Sequence, residues 1–223
     1  MLANLAAIRE HIERAAERSG RSSTDVTLVA AAKSVAVEPL RWVVSAGVEA
    51  IGENYVQELR DVRRALGDLP ITWHYIGTLR SGGANLVADL ADVVQTVAGE
   101  RAARKLAGRA ARAGKVLEVL LEVDLTGERT AAAPDRLAPL ADLVGGLEGL
   151  RLRGFMTVPP VTTTAEEARP WFRRLASMRD HLRSSHPEAQ VLSMGMSLDY
   201  SVAIEEGATM VRIGTALFGP RTT

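Results

Sequence analysis

The chain has 223 residues, which suits one sizeable hydrophobic core and falls short of two ordinary domains joined by a linker. Hydrophobic residues make up 47% and charged residues 24%, a globular profile, and 27 Lys and Arg balance 27 Asp and Glu. Zero net charge without a basic stripe argues against a nucleic-acid partner, and the absence of cysteine excludes disulfides, thiolate metal sites and cysteine nucleophiles.

Residues 2–18 place Leu2, Leu5, Ile8, Ile12 and Ala15 or Ala16 at helical spacing, with Gly20 as a stop. Charges recur every few residues in this opening segment, so it reads as neither a secretory leader nor a membrane span. No later run approaches the ~20 apolar residues a span needs. The expected compartment is therefore the cytoplasm. Short apolar runs then alternate with longer amphipathic ones. The predicted strands are Val26–Lys33, Glu49–Gly52, Ile71–Ile76, Val93–Val97, Val116–Val123, Leu152–Val158, Val191–Ser193 and Met210–Ile213. The intervening helices are predicted from about Glu38, then over Val56–Leu66, Asn85–Leu90, Glu100–Ala113, Pro134–Leu147, Ala165–Arg183 and Asp199–Glu206. Eight strand–helix units behind one leading helix predict an α/β fold, a (β/α)8 TIM barrel near its lower size limit. The rival is an open doubly wound sheet, but no strong G-x-G-x-x-G turn follows the first strand. No linker or low-complexity tract interrupts residues 1–223, which read as a single domain.

Barrels of this kind keep their functional residues at the C-terminal ends of the strands. Lys33 closes the first predicted strand after three alanines. It shares a face with Val29 and Ala31, which leaves volume beside its amine. An amine partly withdrawn from water favours the neutral form that condenses with an aldehyde, although a lysine at a strand end also leaves for solvent readily. Gly214 and Thr215 follow the eighth strand, and Ser193 and Ser197 belong to the seventh unit. Loops seven and eight are where barrels commonly hold phosphate; the alternative is an ordinary turn and helix cap. Arg212 should point toward the barrel axis with Met210, where a guanidinium requires a partner, either a ligand or a structural carboxylate. His74 shares a face with Thr72 and Ile76 and reads as a hydrogen-bonded core residue as readily as a functional one. Asn54 follows the second strand and either meets a ligand or caps the next helix. Four scattered histidines and no carboxylate cluster predict no metal site. Glu166–Glu167 and Glu205–Glu206 read as solvated helix charges.

In chain order, AAAKS, IGENYVQE, WHYIGTLRS, RGFMTV and LSMGMSLDYSVAIEEGATMVRIGTALFG resemble the YggS/PROSC-type pyridoxal phosphate homeostasis proteins, over about Val26–Gly219. The resemblance implies a barrel like the N-terminal domain of alanine racemase that binds pyridoxal 5′-phosphate. It implies Lys33 as the Schiff-base lysine; Ser197, Gly214 and Thr215 as phosphate-binding positions; and Arg212 facing the pyridine nitrogen. Asn54 then lies beside the ring and His74 near the pocket. Two stretches depart from the family pattern. Arg80-Ser81-Gly82-Gly83 stands where the family often reads QSNK, and LTGERTAAAPD after Asp124 lacks the usual lysine-glycine pattern. The implied function is non-enzymatic buffering and delivery of the cofactor within vitamin B6 homeostasis. Its partners are pyridoxal phosphate and PLP-dependent apoenzymes, and the expected state is a monomer. A weak amino-acid racemase is the alternative, and a barrel enzyme acting on another phosphorylated substrate is a third reading. A racemase needs a base on each face of the cofactor, and the sequence offers Lys33 without an obvious partner.

Overall fold

The computed structural model describes residues 1–220; the last three residues of the predicted 1–223 unit lie outside the described residues. In chain order the elements are α1 (Leu2–Arg18), β1 (Thr27–Ala31), α2 (Val37–Ser45), β2 (Ala50–Glu53), α3 (Val56–Leu66), β3 (Thr72–Tyr75), α4 (Ala84–Leu90), β4 (Val93–Val97) and α5 (Glu100–Arg112). They continue with β5 (Leu117–Glu122), α6 (Leu137–Gly145), β6 (Leu150–Met156), α7 (Arg169–Leu182), β7 (Val191–Ser193), α8 (Tyr200–Glu205), β8 (Met210–Ile213) and α9 (Thr215–Phe218). The strands pair in parallel in sequence order, and β8 pairs back onto β1, with Val29 opposite Arg212, to close the barrel. This is the predicted (β/α)8 barrel, not the open sheet.

Two apolar layers follow from the alternation of strand side chains. Val29, Ala50, Leu120, Met156 and Met210 fill the lumen. The opposite faces of the strands join the buried stripes of the helices in the larger outer core. Alanine-rich α5 turns Ala102, Ala103, Leu106, Ala107 and Ala110 inward, a period that places one face of the helix on the sheet. α1 lies outside the repeat. It buries Leu5, Ile8 and Ile12, worth about 1.5–3 kcal/mol each. Hydrogen bonds join its Asn4 to Leu217 O at 3.1 Å and its His11 Nδ1 to the Tyr200 hydroxyl at 2.9 Å. The leading helix thus braces the units that close the barrel.

The predicted elements differ from the observed ones mainly at their ends. β6 starts at Leu150, two residues early, and α7 at Arg169, after a single helical turn at Glu166–Ala168. The short α9 was not predicted. Glu205 and Glu206 correct the solvated-charge reading. Arg169 reaches Glu205 at 2.7 Å and Glu206 at 2.8 Å, Arg173 reaches Glu206 at 2.9 Å, and Arg18 reaches Glu205 at 2.7 Å. The start of α7, the end of α8 and the end of α1 converge, so charges from separate helices share one cluster.

Candidate functional site

At the C-terminal mouth of the barrel lies a cavity of about 430 Å³. Lys33, Asn54, Ser197, Arg212, Gly214 and Thr215 all line it. Residues from the two ends of the sequence therefore meet because strands β7, β8, β1 and β2 are contiguous around the closed sheet. His74, the seventh candidate, lies outside this lining.

Lys33 stands two residues beyond β1 and not at its end. The ladder persists one step, with Ala32 N donating to Gly52 O at 2.9 Å. A tight turn follows, closed by Val35 N to Ala32 O at 2.8 Å. Ser34 occupies this turn with φ +59°, a left-handed conformation that few residues other than glycine and asparagine adopt readily. The half-buried Lys33 directs its Nζ over the Tyr55 ring, 5.3 Å from the centroid, within cation–π range. Asn54 is set beside it by close backbone packing. A Cβ at Gly77 would come within 1.8 Å of the Asn54 carbonyl oxygen, so only glycine fits there.

Arg212 comes from β8 and is 4% exposed. Its Nη1 donates to Ser193 Oγ at 2.6 Å and its Nη2 to Thr157 O at 3.0 Å. Among the described residues no carboxylate lies within 4 Å of it, and Glu122 and Asp199 act on its charge from farther off. Burial pushes its pKa down to about 10, while the charges of Glu122 and Asp199 work to keep it protonated. It stays a cation at neutral pH, facing a cavity. Ser193 passes the interaction on. Its hydroxyl donates to Gln95 Oε1 at 2.6 Å, and Gln95 Nε2 meets His74 Nδ1 at 2.9 Å and Met210 Sδ at 3.1 Å. The donor sequence runs Arg212, Ser193, Gln95, His74, and leaves the ring proton of His74 on Nε2. His74 is 2% exposed, and burial drives its pKa down to about 4, so it is neutral. The core-residue reading of His74 therefore holds for its environment, yet a hydrogen-bonded chain ties it to Arg212.

Ser197 joins the last two loops, its Oγ accepting the Ala216 N–H at 3.0 Å. It is not the N-cap of α8, whose position Asp199 takes; it serves instead a first-turn N–H of α9. A Cβ on Gly214 would approach the Ala31 carbonyl oxygen to 3.2 Å. Ser197, Gly214 and Thr215 thus line the cavity side by side, residue types suited to oxyanions.

Sequence reasoning missed Arg129, which also lines the cavity. Asp124 organises its loop, accepting from Thr126 N and Gly127 N at 2.9 Å and from Arg129 N at 2.8 Å. Burial tends to raise the Asp124 pKa, but these donors bring it down to about 2. The Arg129 guanidinium then reaches the buried Glu122 at 3.2 Å. Arg129 sits in an irregular loop, so no periodicity marked it. Gln95 carries a signal: with Thr96 it interrupts the apolar run VVQTV.

Residues 3–222 match the family described as alanine racemase, N-terminal domain. A pyridoxal phosphate homeostasis protein of Aquifex aeolicus is 38% identical over 220 residues, covering 97% of this chain and 96% of the relative. The structure of PipY from Synechococcus elongatus with PLP bound superposes with a TM-score of 0.84 at 32% identity, covering 94% of this chain and 100% of PipY. An alanine racemase from Clostridium difficile shares the fold, with a TM-score of 0.74 at 18% identity; the match covers 58% of the racemase. Among the described residues no helix is long and apolar enough to cross a membrane. By sequence and by fold, the chain belongs to the alanine racemase N-terminal domain family, among its pyridoxal phosphate homeostasis proteins.

Proposed function

We propose that this protein binds pyridoxal 5′-phosphate at the barrel mouth, holds it reversibly on Lys33, and stores or delivers it without robust catalysis. The observation that carries the reading is Arg212, a buried cation with no carboxylate in direct contact, in one cavity with a lysine, Ser197, Gly214 and Thr215. A volume of about 430 Å³ lies in the range of small-molecule sites. The three cationic side chains Lys33, Arg129 and Arg212 suit a dianionic ligand. When bound, the cofactor supplies an aldehyde that condenses with a neutral lysine amine to a Schiff base. Lys33 would provide that amine, Ser197, Gly214 and Thr215 would hold the phosphate, and Asn54 would fix the ring edge. Arg212 would face the pyridine nitrogen, and a permanent cation there disfavours protonating the ring, which weakens it as an electron sink.

The lining also favours a carrier over a racemase. Among the described residues that line the cavity, the ionisable side chains are Lys33 and two arginines, Arg129 and Arg212, and a guanidinium does not serve as a base. Tyr55 lies against the Lys33 amine itself, so it supplies no base on the opposite face. The test is to incubate the cofactor-loaded protein with a PLP-dependent apoenzyme and, separately, with L-amino acids. Restored apoenzyme activity without D-isomer formation is expected. Accumulation of D-isomer at a rate set by protein concentration would overturn the carrier reading. Action in the cytoplasm, as a monomer, belongs to the same proposal.

A further inference from the structure

Tyr55 is a side chain that the fold does not explain. It stands at the N-cap of α3, with φ −120° and ψ 131°, where a serine, threonine, aspartate or asparagine would bond a free N–H, and its side chain makes no such bond. It is 50% exposed, so its ring adds little to the core. It lines a neighbouring cavity of about 530 Å³, not the one that Lys33 lines, and Asn54 is common to both. What the ring does meet is the Lys33 amine, 5.3 Å from its centroid.

Both partners are fixed from behind. The Ser34 N–H, one residue after the lysine, donates to Glu58 Oε2 at 3.2 Å, and Glu58 lies in the first turn of α3. Tyr55 O accepts from Leu59 N at 3.0 Å, and the preceding Asn54 packs on Gly77, where no Cβ fits. The turn after β1 and the start of α3 are thus fastened together around the contact. The other charged groups are Arg129 and Arg212 in the lysine's own cavity and Arg80 in the cavity beyond the ring, which repel an ammonium, and Glu58, which is engaged with the Ser34 N–H.

We propose that Tyr55 is a positioning residue for Lys33: in the empty site its ring holds the lysine as an ammonium at the border of the cavity and limits the fraction of amine ready to condense. A ring face attracts the charged amine and gives the neutral one little, a preference of about two- to fivefold at an exposed site. Condensation needs the neutral amine. Its nitrogen bonds the aldehyde carbon, and the aldehyde oxygen leaves as water with the two amine hydrogens; hydrolysis is the reverse. By taking up the freed lysine, the ring weights the balance toward release, which suits a protein that must let its cofactor go. That consequence rests on the role given to Lys33 above.

The test is trace labelling with acetic anhydride, which modifies neutral amines, on the full chain without cofactor. The chain has three lysines, and the exposed Lys105 is the internal standard for Lys33. Wild type, Tyr55→Phe and Tyr55→Leu are compared by mass spectrometry of the modified peptides. At about pH 7.5, wild type and Tyr55→Phe, which keep a ring, should label alike, and Tyr55→Leu about two to five times faster. At about pH 11.5, where lysine amines are ordinarily neutral, the ratio of Tyr55→Leu to Tyr55→Phe should fall to about one. Wild type is left out there because a phenol itself ionises in that range. Equal labelling of the two variants at the lower pH overturns the proposal. So does a ratio that persists at the higher pH, because lost steric cover speeds labelling at every pH. Labelling needs no cofactor, so a missing adduct on Lys33 counts against the proposed function and leaves this result to be read separately.

Discussion

The Arg212 guanidinium and the Ser193 hydroxyl stand 2.6 Å apart inside the barrel, and through that contact a buried cation is tied to a neutral histidine three side chains away. Ser193→Ala breaks the chain in the middle. It leaves Arg212 Nη1 and Gln95 Oε1 without their partner in a buried site, which costs about 1–3 kcal/mol of stability. Denaturant unfolding of the variant at neutral pH checks this, and an unchanged midpoint would contradict it.

His74 gives a pH signature. Its folded pKa, about 4, lies below the ordinary 6.5, so between those values the unfolded chain binds the extra proton. Stability contributed by the neutral ring is complete above about pH 6.5 and is lost as pH falls toward 4, by at most about 1.4 kcal/mol per pH unit. His74→Gln should remove this slope. Parallel unfolding curves for the two proteins from pH 7 to pH 4.5 are the measurement, and identical pH dependence would refute the assignment.

Glu53 acts in the opposite sense. Its folded pKa, about 8, exceeds the ordinary 4.5, so the folded protein holds a proton that the unfolded chain has given up. Its contribution is full below about pH 4.5 and declines as pH rises to about 8. Glu53→Gln should therefore gain on wild type in thermal stability over that window, read as a Tm difference that widens with pH.

The cluster at α7 and α8 separates buried from exposed charge. The Arg169 side chain is 24% exposed and bonds Glu166, Glu205 and Glu206; Arg173 is 68% exposed. Arg169→Ala strips partners from two largely covered carboxylates and should cost about 1–3 kcal/mol. Arg173→Ala should cost under about 1 kcal/mol. Thermal unfolding of both variants at low salt distinguishes them.

The sequence was most informative where local pattern and long-range order coincide. Eight apolar runs at regular spacing reported the barrel, because a strand that is buried on both faces leaves a continuous apolar signature. Strand ends led to Lys33, Asn54, Arg212 and Gly214 because barrel mouths collect such positions. What stayed hidden depends on contacts across the closed sheet. Ser193, Gln95 and His74 come from three strands, and nothing in their local sequence reports that their side chains meet. Arg129 is placed by the hydrogen bonds Asp124 makes to its own loop, which carry no periodicity. Lys33 reads as a strand end because the left-handed residue after it is a serine, held by a glutamate 24 positions away.

The central claim is that Lys33 holds pyridoxal phosphate in the cavity it shares with Arg212. Mixing the protein with the cofactor, reducing with borohydride and mapping the modified peptide by mass spectrometry tests it most directly. A yellow wild-type protein modified at Lys33, and a Lys33→Ala variant that neither colours nor retains a reduced adduct, is the expected result. A Lys33→Ala variant that still carries the adduct on Lys105 or Lys115 would contradict it.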